Sequence, residues 1–170
     1  MQHSWRRRLP PLAALLFCSV LSAETVIIDC GSAADSNFTG GAAWLIPQGL
    51  IPPGTTDTTL RYGAAFSYRV PVYNIPYVVT FRFIEPTVQV RGQRIFSVRI
   101  NNQVVIDRID LVAEAGYLKP LSRSVVVMGS DEALNISFET QVRSAVVSSI
   151  EITQFYEWTL GPVISLLGYK

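Results

Sequence analysis

The chain has 170 residues, 49% of them hydrophobic, with 14 basic side chains, 13 acidic ones and a single histidine. That length bounds one domain with a sizeable core, and the near-zero net charge excludes the basic footprint of a nucleic-acid-binding protein. The first residues lower the charge further. Arg6, Arg7 and Arg8 precede the apolar run Leu12 to Leu21, and the small residues Ser22 and Ala23 follow it. This is the order of a secretory signal peptide, and the run is too short to span a bilayer comfortably, so a retained anchor is the weaker reading. Bulky Phe17 before Cys18 argues against lipoprotein processing. Cleavage after Ala23 is expected, which divides the chain into a signal peptide (1–23), one domain (24–154) and an apolar tail (155–170). The mature protein is then secreted to the cell exterior or periplasm, or to the endoplasmic reticulum lumen in a eukaryotic host, with no membrane span. It keeps 11 basic residues against 13 acids, a charge of about −2, and loses His3 and Cys18. One thiol, Cys30, remains, so no internal disulfide is available.

Thr25 to Cys30 is a short apolar run and reads as the opening strand. Gly31 to Gly41 reads as a loop, and Asn37-Phe38-Thr39 within it fits the N-glycosylation pattern. Trp44 to Leu50 is apolar but broken by Pro47, and Pro52 to Thr59 reads as a second loop. Phe66, Tyr68, Val70 and Val72 then alternate with Ala65, Ser67 and Arg69, and Pro71 marks a strand end. Tyr77, Val79, Phe81 and Phe83 form the next buried row. Phe96, Val98 and Ile100 alternate up to Asn101-Asn102, a pair suited to a tight hairpin turn, after which Val104 and Ile106 resume the alternation. Asp107 to Gly116 reads as the connection leaving this hairpin. Ser124 to Met128 is apolar; Leu134, Ile136 and Phe138 alternate, with a second sequon at Asn135; Val146, Ile150 and Ile152 belong to a final strand. Eight or nine short strands without a convincing helix predict an all-β antiparallel sandwich. Ten residues are expected to share its core: Phe81, Phe83, Phe96, Val98, Ile100, Leu134, Ile136, Phe138, Ile150 and Ile152.

Much chemistry is excluded. A mature chain without histidine has no Ser-His-Asp triad, no Cys-His pair and no histidine metal site. Cys30 directly follows an apolar strand and reads as a buried small hydrophobe. Asp107, Asp110 and Glu114 are crowded acids that could serve a glycosidase or a structural calcium ion, but their spacing fits a solvated loop equally well and no fixed-spacing motif supports a metal. No cofactor is expected. Aromatic rings near loops are the remaining resource, because the C–H faces of sugars stack on them. Trp44, Tyr62 and Tyr117 are so placed, and Asp35 and Asn37 offer polar contacts; the alternative reading is that each aromatic caps the end of the core.

Taken in order, IDCG (Ile28 to Gly31), FTGGAAW (Phe38 to Trp44), RYGAAFSYRVPV (Arg61 to Val72), VVTFRFIEP (Val78 to Pro86), GQRIFSVRINNQVVIDRIDLVAEAG (Gly92 to Gly116) and AVVSSIEI (Ala145 to Ile152) resemble a malectin or malectin-like domain. The resemblance implies a jelly-roll sandwich of galactose-binding-like architecture that binds carbohydrate, without catalysis, through loops at one end. Animal malectin recognises glucosylated N-glycans, bacterial relatives accompany glycan-degrading enzymes, and plant relatives form receptor ectodomains that bind peptides or proteins. Tyr62 matches an aromatic contact of sugar-binding members. Thr87 and Val88 stand where the family has an aromatic pair, and Arg143 stands where it has an acid. The family's fold brings the loops from Gly31 to Gly41 and Thr87 to Gly92 to the rim of Tyr62, where Asp35, Asn37 or Arg91 would supply polar partners. The resulting expectation is a secreted, non-catalytic carbohydrate-binding module. A protein- or peptide-interaction domain on the same fold is the second reading, and a small glycosidase using the acidic loop is the third.

Overall fold

The computed structural model describes residues 24–130 and 132–155. The expected signal peptide and the tail beyond Phe155 lie outside the described residues. Two antiparallel sheets face each other. The first orders β1 (Thr25–Asp29), β10 (Ser149–Gln154), β4 (Pro76–Phe83) and β7 (Leu121–Met128). The second orders β2 (Phe38–Leu45), β3 (Thr59–Val70), β8 (Leu134–Val142), β5 (Ile95–Ile100) and β6 (Gln103–Ile109), with the short β9 (Ala145–Val147) also paired to β3. This is the antiparallel β-sandwich that the alternating pattern predicts, and its strands neighbour one another out of chain order, as in a jelly roll.

The core lies between the sheets because each strand buries one parity of its residues. Phe81 and Phe83 from β4, Phe96, Val98 and Ile100 from β5, Leu134, Ile136 and Phe138 from β8, and Ile150 and Ile152 from β10 all belong to one buried cluster. Phe138 is its aromatic centre: it stacks on Phe66 at 4.5 Å and meets Phe81 of the opposite sheet edge-on at 6.0 Å. Cys30 is fully buried, with its thiol donating to the Ile28 carbonyl at 3.7 Å. Burial pushes that thiol well above its ordinary value, and burial does the same to the neighbouring Tyr68 hydroxyl.

Several local expectations change. Phe38 to Gly41 is strand rather than loop. Gly40 and Gly41 take positive φ at a bulge in the β2–β3 ladder, so their glycine content marks an irregular strand and not a turn. The hairpin turn holds Asn101 and Asn102 at φ 49° and 67°, as the asparagines suggest. Past it, register shifts against β5 put Val104 in solvent and turn Val105 and Ile106 partly inward, and β6 continues through Ile109, whose partner is Phe96. A four-residue helix, α1 (Leu111–Glu114), occupies the expected connection; Asp110 caps it by accepting from the Ala113 amide at 3.0 Å. The final strand is two strands in different sheets. The chain crosses between them at buried Ser148, whose amide donates to Arg82 and whose carbonyl accepts from Cys30.

Candidate functional site

β3 changes partner along its length. Ala65 to Val70 pair with β8, whereas Arg61 to Gly63 pair with β9. At this junction the sandwich opens at one end into a cavity of about 330 Å³ lined by Trp44, Leu60, Tyr62, Pro86, Thr87, Arg94, Arg143, Ser144 and Val146. Trp44 pairs with Leu60 and Tyr62 with Ala42 across β2 and β3, so the two rings are diagonal neighbours on one face. Trp44 is half-buried against the core, and Tyr62 is 40% exposed.

A buried ion pair builds the polar wall. Glu85 ends the stretch after β4, and its side chain is wholly enclosed; Arg94 starts the run into β5 and is 5% exposed. Arg94 Nε donates to Glu85 Oε2 at 2.5 Å, and Arg94 Nη2 donates to Thr87 Oγ1 at 2.9 Å. Its Nη1 donates to both the carbonyl and the hydroxyl of Ser144. Glu85 Oε1 in turn accepts from the Thr87 amide and hydroxyl, each at 3.0 Å, and from the Val88 amide at 2.8 Å. One pair of opposite charges thereby ties the loop after β4 to the turn between β8 and β9. With every donor and acceptor matched, the two charges are tolerable in a dry site, and the wall is rigid.

Arg143 tops that turn at φ +65°, a left-handed conformation that costs a non-glycine residue about 1 kcal/mol. The Thr140 hydroxyl donates to the Arg143 carbonyl at 2.9 Å and holds the turn. Its guanidinium is exposed and has no hydrogen bond or ion pair to any described residue.

The expected site residues distribute unevenly. Tyr62 and Trp44 come together in the cavity. Asp35 lies close by in sequence space to β2 but its side chain is only 1% exposed, and its Oδ2 is committed to Arg61 Nε at 2.8 Å, the Gly31 amide at 2.6 Å and the Tyr68 hydroxyl at 3.2 Å. That carboxylate holds the core, with Arg61 also lying 3.3 Å over the Phe38 ring. Asn37 is exposed at the other end of β2 from Trp44, and its carbonyl accepts from the Arg69 amide. Arg91 is exposed and Tyr117 half-buried; neither lines the cavity. The crowded acids each have a separate partner: Asp107 accepts from Ser97, Asp110 from the Gly92 amide, and Glu114 from Arg123. Among the described residues no cluster of ligating side chains could hold a metal ion. Sequence reasoning did not single out Glu85 and Arg94 for the site. Their signal was a charged residue of each sign bracketing one loop between two apolar rows.

A family model described as Malectin domain matches residues 57–155. No curated protein matches the chain. Among solved structures, the fold is similar to that of the plant receptor-like kinase FER in complex with the peptide RALF23 and LLG2, with a TM-score of 0.67 and 16% identity over 80% of this chain and 50% of that one. The ANX1 ectodomain from Arabidopsis thaliana gives a TM-score of 0.67 and 11% identity over 79% and 50%. A Bacteroides uniformis beta-glucuronidase gives a TM-score of 0.64 and 16% identity over 78% and 18%. At such identities the likeness is one of fold, and the chain spans half or less of each of these proteins.

Proposed function

The chain belongs to the malectin domain family, and from that premise we propose that it is a non-catalytic module binding carbohydrate in the cavity between Trp44 and Tyr62. The observation that carries the reading is the pairing of two aromatic rings with a rigid polar wall around one open cavity. The rings offer flat apolar faces to a pyranose; Thr87, Ser144 and Arg143 offer polar groups that fix its orientation. Tyrosine and tryptophan also lose little rotamer freedom on binding.

The absence of catalysis is supported by the carboxylates. Glycoside hydrolysis needs two of them facing the scissile bond. Among the described residues, the one carboxylate beside the cavity, Glu85, is enclosed and locked to Arg94. Export by way of residues 1–23 fits a glycan ligand outside the cytoplasm, and N-terminal sequencing of the secreted protein, with Glu24 as the expected first residue, tests it.

The experiment for binding is a glycan array followed by calorimetry on the mature chain and on Tyr62→Ala. Loss of one stacked ring should weaken binding about tenfold while thermal unfolding barely moves, since the ring is already 40% exposed. A large fall in melting temperature with binding intact would return Tyr62 to a packing role. A second reading has a specific motive: the similar FER structure holds a peptide and a partner protein. An empty array together with capture of a defined peptide would favour that reading, and sugar release from the array would favour a glycosidase.

A further inference from the structure

The geometry points to an anionic sugar, a pyranose bearing a carboxylate or a sulfate ester, as the ligand of this cavity, with Arg143 as the residue that selects the charge. This inference rests on the carbohydrate reading above and narrows it. The argument is one of uncommitted charge. Of the two arginines that line the cavity, Arg94 has its guanidinium spent on Glu85, Thr87 and Ser144 and is neutralised by the enclosed carboxylate. Among the described residues Arg143 is exposed and unpaired, and no acid lines the cavity beside it. The cavity therefore presents one net positive charge next to two aromatic faces.

A neutral sugar makes poor use of this arrangement. It would cover a guanidinium without matching its charge. A carboxylate or sulfate instead accepts the planar fork of donors in a charge-assisted, bidentate geometry. The backbone points the same way. The turn holds arginine at φ +65°, where glycine or asparagine would sit with less strain, so its side chain is not there for the convenience of the turn. The Thr140 hydroxyl holds the Arg143 carbonyl and Arg94 holds the next residue, Ser144, which leaves the guanidinium projecting from an anchored base.

The test is an array of neutral, uronic-acid and sulfated oligosaccharides of matched linkage, probed with the full mature chain and with Arg143→Gln, and followed by calorimetry on the hits. The anionic members should bind about tenfold more tightly than their neutral counterparts at moderate salt, with the gap narrowing as salt rises. Arg143→Gln should erase that gap by bringing the anionic members down to the affinity of the neutral ones, and Arg143→Lys should restore part of it. Whether uronates or sulfated sugars lead the hits identifies the source of the anion, and either supports the inference. Equal affinity for charged and neutral members, or a gap that survives Arg143→Gln, overturns it. If neutral sugars still bind and Tyr62→Ala still weakens that binding about tenfold, the carbohydrate reading stands alone. A blank array beside tight binding of a polyglutamate peptide overturns both.

Discussion

Gly31 shows how little room single positions leave. It takes φ +81° directly after β1, and a Cβ placed there would lie 2.2 Å from the Leu60 carbonyl oxygen. Both the backbone angle and the contact reject a side chain, so Gly31→Ala should lower the unfolding free energy by more than about 1 kcal/mol, read from a urea titration. Glu85 is a second such residue. Glu85→Gln would leave the Arg94 charge enclosed without its counterion, at a cost of about 3–5 kcal/mol, and should loosen the cavity wall enough to weaken ligand binding as well. Cys30 and Tyr68 act through protons. Burial raises both groups, so the folded chain keeps protons that an unfolded chain would release above about pH 9 for the thiol and pH 10 for the phenol. The unfolded state then binds fewer protons, and stability must fall as pH rises through that range while remaining whole below pH 8. The urea midpoint at pH 10 should accordingly lie below that at pH 8, and Cys30→Ala should flatten the first part of the decline.

Strands carry the energetics at the next scale. β8 sits between β3 and β5 and sends Phe138 against rings from both sheets. Phe138→Ala removes the contact that couples the two layers and should cost about 3–5 kcal/mol, with both sheets unfolding in one transition. The buried rows on β4, β5, β8 and β10 were legible in the sequence because a period of two survives wherever a strand is regular. What escaped was governed by irregularity. The bulge at Gly40 and Gly41 hid the start of β2 inside an apparent loop, and the register shifts along β6 exchanged Val104 for Val105. β9 and β10 read as one strand because nothing in a three-residue element tells which sheet it joins. The site was legible to the extent that it rests on aromatics placed next to predicted loops. Tyr62 and Trp44 meet in the cavity, whereas Asp35 is drawn away by Arg61, a partner 26 positions along the chain that only the fold brings near.

At the scale of the whole molecule, the cavity lies far from residues 24 and 155. β1 and β10 run antiparallel, so Thr25 lies opposite Thr153 and the Glu24 carbonyl accepts from the Gln154 amide, while the Phe155 amide donates to Pro76. Pro76 begins β4, and the cavity residues Pro86 and Thr87 follow the other end of that strand. Seven steps of about 3.3 Å put the two ends of β4 roughly 23 Å apart. This arrangement has a mechanical consequence. A pull that separates residue 24 from residue 155 opens β1 from β10 one hydrogen-bonded pair at a time, like a zip, and yields at low force. A pull between Thr87 in the cavity wall and Phe155 runs lengthwise along β4 instead and loads its ladders to β7 and β10 in shear, where many bonds must fail together. Single-molecule stretching along the two directions should give a higher rupture force for the second, so load applied at the cavity wall is borne more firmly than load between residues 24 and 155.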